Sequence, residues 1–471
     1  MVKTMKISKT LLLAIPILIL AVSCGEDFTI LAPQSQRNVE NFYKTDTDFV
    51  TSINGAYAGL AGSKAYGRNY MLLHEMRSDN TENDGGATGL AESFQRIDRF
   101  DELTTATEIE ETWAGGYEVI ARTNTILNRI QNASFDNPAL GERIRGEALF
   151  VRSLVYYNLA VTFGNIAEQF DEVTSPNVQI NQVTADVIYN RIASDLAEAA
   201  NLLPSSYSGS DVGRATSGAA STLLGLVHLT NGENGQAETA LRSVIQSDQY
   251  ELIPDFEDIW GVENQNNEES IFEIQYKSGG QGTGSPFTEY YSPDLSISGG
   301  VGGGNAPQLI PEELESAFDS GDERLNTIEL AEDDGEPYLT KYDGTQFAAF
   351  DGDNNFIVFR YADVLLMLAE AIGEGQEATD LIDEVRERSG LTTSIADLPG
   401  TYSEKLIAER KREFVGENKR WPDLLRFGVA QQVMSDFLSD EGISPSDVRL
   451  LYPIPQREID AAPGELEQNP L

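Results

Sequence analysis

The chemistry-bearing side chains of this sequence fall into one charged cluster and two groups of aromatic and polar residues. Glu409, Arg410, Arg412, Glu413, Arg420, Asp423 and Arg426 crowd into one short stretch. A pair of carboxylates there could serve as the acid and base of a glycoside hydrolase. Opposite charges interleaved at helical spacing more simply form ion pairs, which hold carboxylates below the pKa that a general acid needs. The cluster is therefore read as structural. His74 and His228 are the only histidines, so a metalloprotease H-E-x-x-H is impossible; no G-x-S-x-G elbow accompanies them. His228 falls inside an apolar run and is expected to be a core imidazole with a satisfied partner. The glycine run Gly299–Gly304 lacks the Lys-Ser/Thr of a phosphate loop and reads as a plain loop. No catalytic residue, metal ligand or cofactor site is read from the sequence.

The aromatic groups point to binding without bond breakage. Tyr66 and Tyr70 are followed closely by Arg77, Asp79 and Asn80, and Phe287, Tyr290 and Tyr291 form a second set. An aromatic ring offers a face for stacking, a tyrosine adds a hydroxyl, and the charged and amide side chains can read hydroxyl groups of a ligand. Both sets lie where helical periodicity fades, in Ser63–Glu108 and Ser278–Pro307. Long irregular stretches inside a compact protein are usually functional, so these aromatics are expected at the surface of loops. Trp113, Trp260 and Trp421 sit in helical contexts and are assigned to the core.

The elements that must position these groups are mostly helices. Phe49, Val50, Ile53, Ala56, Tyr57 and Leu60 recur at helical spacing, with Thr47 and Asp48 as the expected cap and Gly62 as the stop. A stripe from Trp113 to Ile130 is partnered by one from Ile144 to Leu159 after the Pro138 turn. Amphipathic segments follow at 187–202, 217–229 and 237–245, between Pro204, Gly209, Gly213 and Gly232. Ser270–Lys277 alternates like a strand. Between Phe356 and Gly428 lie three more helical segments: Arg360–Ala371, one capped by Thr379 and ending before Gly390, and one from Ser403. The proline-containing tail after Leu451 is expected to be extended. Successive helices too small to bury their own faces argue for stacked pairs. The fold class is mainly α: tetratricopeptide-like helix pairs in one large helical body with loop-rich, short-strand insertions. The scaffold is placed at about 41–62, 109–250 and 356–428, and variable ligand-binding loops at about 63–108 and 278–355.

Seventy-six acidic residues against thirty-three basic ones give a formal charge of −43. Such a surface repels phosphate backbones, which excludes nucleic acid as a partner, and it favours neutral over polyanionic ligands. Lys3, Lys6 and Lys9 precede an apolar run from Leu11 to Val22. That run is too short to span a bilayer and has the size of a signal-peptide core, so residues 1–23 are expected to be a signal peptide. Ala21-Val22-Ser23 before the single cysteine resembles a bacterial lipobox, with Ala21 where leucine is usual. Cys24 would then be lipidated and residues 24–40 would be a tether to the membrane. Gly25-Glu26-Asp27 resembles the acidic signal that sends some lipoproteins to the outer face.

Several separate motifs agree with one family. They are Glu147-Ala148 with Arg152 and Tyr156-Tyr157 before Phe163-Gly164; Arg360-Tyr361-Ala362-Asp363 through Ala369-Glu370-Ala371; Val385-Arg386 with Gly390-Leu391; Glu409–Glu413 with Arg420-Trp421 and Asp423-Leu424; and Pro453-Ile454-Pro455 with Gln468-Asn469-Pro470. In these the chain resembles the SusD/RagB family of outer-membrane nutrient-uptake lipoproteins. The resemblance implies a lid on a SusC-like TonB-dependent transporter, to which the protein would hand oligosaccharides or, in some members, peptides. It also implies that Phe356–Gly428 is framework rather than binding surface. An anchored glycoside hydrolase is the remote alternative.

Overall fold

The computed structural model describes residues 42–83, 90–175, 179–291, 309–330, 337–344 and 346–470. The expected signal peptide, Cys24, the tether and the glycine run lie outside them.

Helix α1 (Asp46–Ala61) opens two residues earlier than expected, on Thr45. The Thr45 hydroxyl accepts from the Asp48 amide, and the Asp48 carboxylate accepts from the Thr45 amide at 3.0 Å. That reciprocal pair satisfies amides the first turn would leave without partners. Two short helices, α2 (Asn69–His74) and α3 (Leu90–Asp98), follow where an irregular segment was expected. Then comes the stack: α4 (Thr107–Ile130), α5 (Pro138–Phe163), α6 (Ala185–Leu202), α7 (Ser217–Thr230) and α8 (Asn234–Ile245), each packed on the next. Helix α5 is buried on all sides over its last two-thirds, and the charged side chains there, Glu147 and Arg152, are paired with Arg214 and Asp195.

The one-turn helices α9 (Phe287–Tyr291) and α10 (Glu312–Glu315) precede α11 (Tyr361–Ile372), which packs on α8 and on α12 (Gln376–Arg388) and so continues the stack. Helix α12 begins at Gln376, ahead of the expected cap, Thr379. Helix α13 (Tyr402–Glu413) has a second reciprocal cap, between Thr401 and Glu404. Helices α14 (Arg420–Arg426) and α15 (Ala430–Phe437) complete the framework. The tail is extended through Pro453-Ile454-Pro455 and then forms α16 (Gln456–Ala461), a correction to the fully extended expectation. Proline 455 leads into that helix because an N-terminal turn does not use its missing amide.

Three two-stranded antiparallel sheets are present among the described residues: β1 (Ile166–Ala167) with β2 (Gln182–Val183), β3 (Ser270–Ile274) with β6 (Phe356–Arg360), and β4 (Ile328–Leu330) with β5 (Pro337–Leu339). Ser270 pairs with Arg360 and Ile274 with Phe356. The helical stack and the sheet share one apolar core, which includes Trp113; Trp421 packs in a satellite cluster with Phe100 and Met434, and Trp260 with Phe256. His228 is partly exposed and bonds Glu233 at 2.6 Å, so it is satisfied but lies at the edge of the core.

Helix pairs approach closely where glycine faces a leucine. A Cβ on Gly116 would sit 2.9 Å from Leu159, and one on Gly225 would sit 2.6 Å from Leu241. Overpacking of this kind costs about 1–3 kcal/mol. Gly225→Val is expected to lower stability by that amount by separating α7 from α8, measured as the midpoint of urea unfolding followed by circular dichroism; an unchanged midpoint would show that the pair does not depend on the contact.

Candidate functional site

The charged cluster folds inward. Glu413 of α13 accepts from Arg360 of β6 at 2.5 Å, from Arg324 at 2.9 Å and from Arg388 at the end of α12. One turn earlier, Glu409 accepts from Arg386 at 2.6 Å, Arg324 at 2.7 Å and Arg412 at 2.9 Å. Glu417 bonds Arg360 at 2.9 Å and Lys341 at 2.8 Å, and Asp423 bonds Arg410 at 2.7 Å. Burial by itself raises these carboxyls, but the converging guanidinium groups overcome it, holding Glu409 at about 2 and Glu413 lower still. Neither can donate a proton near neutral pH. Ion pairs at helical spacing were expected; only Arg412 with Glu409 and Arg426 with Asp423 are such pairs, and the other partners come from β6, α11, α12, residues 322–341, Asp79 and, for Arg410 with Asp423, the next helix.

All eight nominated binding residues are buried. Tyr66 accepts from Asn158 Nδ2 at 3.0 Å and packs edge-on against Tyr70, which stacks on His74. Arg77 pairs with Glu102 at 3.1 Å between the rings of Phe100 and Tyr452. Asp79 accepts from Lys411 at 2.6 Å and Arg420 at 2.7 Å. Asn80 donates to Glu75 at 3.0 Å, and Glu75 also accepts the amides of Gly416 and Asn418 at 2.7 and 2.8 Å. Burial pushes the Glu75 carboxyl up to about 7 against those bonds. Phe287 packs among Tyr276, Tyr342 and Phe356, and Tyr291 stacks on Tyr342. Tyr290 is 8 % exposed. The expected surface exposure is thus corrected for every one of them. The polar residues after Tyr70 bond to the framework rather than to water, which draws the aromatic residues beside them into the core.

What the structure does expose is a hairpin inside the second expected loop region. Phe347 is 66 % and Phe350 42 % exposed. They are the two aromatic side chains left exposed among the described residues. The Phe347 amide donates to the Asp351 carbonyl at 2.9 Å and the Asp351 amide to Ala348 at 3.0 Å. Phe350 has φ +59°, a conformation costly for a bulky residue and typical of functional turns. The Asp351 carboxylate accepts from Gly280 at 2.7 Å and Gly279 at 3.2 Å. Gly352 and Ser285 exchange amide-to-carbonyl bonds at 2.8 Å, pinning the hairpin to the loop after β3. The Tyr290 ring lies 5.5 Å from that of Phe350 and supports it from below. Two ring faces therefore stand on a fixed backbone, with Gly280 beside Phe347.

Residues 33–229 match a family model described as SusD-like, starch-binding and associating with the outer membrane, and residues 338–471 match the SusD family model. The chain belongs to the SusD/RagB family. It is 25 % identical to SusD-like protein P25 of Formosa agariphila over 95 % of each chain. Among solved structures it is similar to surface glycan-binding protein A from Bacteroides fluxus, with TM-score 0.79 and 25 % identity over 91 % of this chain and 99 % of that one. A laminarin binding SusD-like protein gives TM-score 0.78 and 27 % identity over 91 % of this chain and all of the other. The buried ion network and the Phe347–Phe350 hairpin both reach into the segment that matches the SusD family model.

Sequence reasoning missed Phe347 and Phe350. The available signal was two aromatics three residues apart between Gly344 and Gly352, in an otherwise acidic stretch. For the network, removing one partner of a buried ion pair costs about 3–5 kcal/mol, so Glu413→Gln is expected to destabilise the fold by that amount in urea. Because Glu409 and Glu413 are depressed in the folded state, their contribution is present above about pH 4.5 and is lost as pH falls toward 2. Wild-type Tm should therefore drop steeply below pH 4.5, and Glu413→Gln should flatten that slope; parallel slopes would contradict the assignment.

Proposed function

We propose that this protein is a cell-surface lipoprotein, anchored to the outer membrane through Cys24, that captures a neutral oligosaccharide on the Phe347–Phe350 hairpin and passes it to a SusC-like TonB-dependent transporter. The observation that carries the reading is the pair of exposed aromatic faces on a turn held in a strained conformation. Aromatic rings pack against the apolar C–H face of a pyranose, and a face already rigid before binding loses little entropy when it is covered. The family fold supports the reading, as do the glycan-binding and laminarin-binding relatives among its structural neighbours. The charge of −43 disfavours polyuronates. Binding needs no proton transfer, and the most acidic carboxylates of the framework are locked in ion pairs.

The test is affinity electrophoresis and isothermal titration of the purified protein with laminarin and with alginate. Laminarin is expected to bind and alginate not to. Phe347→Ala and Phe350→Ala should each weaken laminarin binding about tenfold, or ~1.4 kcal/mol, with Tm unchanged. Wild-type affinity in the double variant would remove the hairpin from the site.

A further inference from the structure

A second concave surface, lined by no residue of the hairpin, lies between the loop after α6, the start of α7 and β3. It encloses a volume of about 250 Å³, slightly under the usual range for a small-ligand pocket, roughly 300–1,000 Å³, and enough for one sugar ring or two rather than a long chain. Its walls include the rings of Tyr207 and Tyr250 and the side chains of Ser206, Gln249 and Asn266. Tyr250 is held in place by a 2.9 Å bond to the Thr216 hydroxyl, and its ring lies directly over Gly218, where a Cβ would sit 2.4 Å from the tyrosine oxygen.

Asn266 is the distinctive member. It is a non-glycine residue at φ +55°, fixed by its amide donating to the buried Glu273 carboxylate at 2.7 Å. Its side chain forms a reciprocal amide pair with Gln275, at 3.1 and 3.0 Å. Gln275 spends its remaining capacity on Asn355 and on the Glu273 carbonyl. Asn266 therefore keeps one N–H and one carbonyl lone pair that the pairing does not use, on opposite edges of its amide. Gln275 in turn lies over Gly213, whose φ is +91° and where a Cβ would meet it at 2.5 Å. A backbone held at positive φ, an amide with a spare donor and a spare acceptor, and two ring faces together suit a hydroxylated ring with apolar faces. Arg214, the cation on the wall, is already paired with Asp211 at 2.7 Å and Glu147 at 3.0 Å, so the groove offers an anionic ligand little.

We propose that this groove is a second, separate subsite for a neutral mono- or disaccharide, with Asn266 bonding a ring hydroxyl between Tyr207 and Tyr250. The ligand class rests on the glycan reading above; the groove's existence does not. The test is saturation-transfer NMR of the full protein with glucose, laminaribiose and cellobiose. It compares wild type, Phe347→Ala/Phe350→Ala, the occluding Ser206→Trp and the truncating Tyr207→Ala, each checked for unchanged Tm. Saccharide signal that survives in the hairpin double variant and falls at least fivefold when either groove change is added supports the subsite. Residual signal indifferent to both groove changes, or no residual signal at all in the hairpin variant, overturns it. If only the groove changes reduce binding in the wild-type background, the hairpin reading fails and the subsite stands.

Discussion

Glu413 is the residue on which the C-terminal half depends, because one buried carboxylate receives three guanidinium groups from three different parts of the chain. Taking charges out of water costs several kcal/mol per ion, and only dense mutual pairing offsets it. The arrangement is therefore poor at adding net stability and good at forbidding alternatives. Any register of β6, α12 or residues 322–327 that withdraws one arginine leaves an uncompensated buried charge. Apolar packing alone would tolerate small slides of α13 along its neighbours; the network does not.

The same logic ties the N-terminal half to this framework. Asp79 is clamped by Lys411 and Arg420, while Glu75 holds the amides of Gly416 and Asn418. Residues 69–83 thus act as a strap across α13 and α14. The hairpin with Phe347 and Phe350 is reached from the β6 end of the sheet, and the loop that pins it continues from β3. One two-stranded sheet, anchored at Arg360 by Glu269, Glu413 and Glu417, therefore sets the position of the exposed rings.

Helices with an apolar stripe were legible because helical periodicity is a local signal: α6, α7 and α11 fall within a few residues of their expected ends. The strap was not legible. A stretch rich in Arg, Asp and Asn looks the same in sequence whether its polar groups face water or meet partners more than three hundred positions away, as Asp79 meets Arg420. Tyr66 and Tyr70 were expected at the surface for that reason, and the long-range pairing of the polar residues that follow them placed them in the core. Phe347 shows the converse. Its exposure follows from a tight turn carrying a bulky residue at positive φ, and nothing in the order of residues announces that choice.

The inward folding of the cations has an effect beyond the fold. Arg77, Arg152, Arg324, Arg360, Arg386, Arg388, Arg410, Arg412, Arg420 and Lys341 are all buried together with the carboxylates that hold them, and the shell of charge left facing solvent is still predominantly acidic. That shell gathers a dense cloud of small cations, whose reach is about 10 Å at 0.1 M salt and about 30 Å at 0.01 M. Two copies approaching each other press these clouds together before any side chains touch. Spacing between neighbouring molecules is thus set by the ionic strength of the medium, and crowding becomes a property of the salt as much as of the protein.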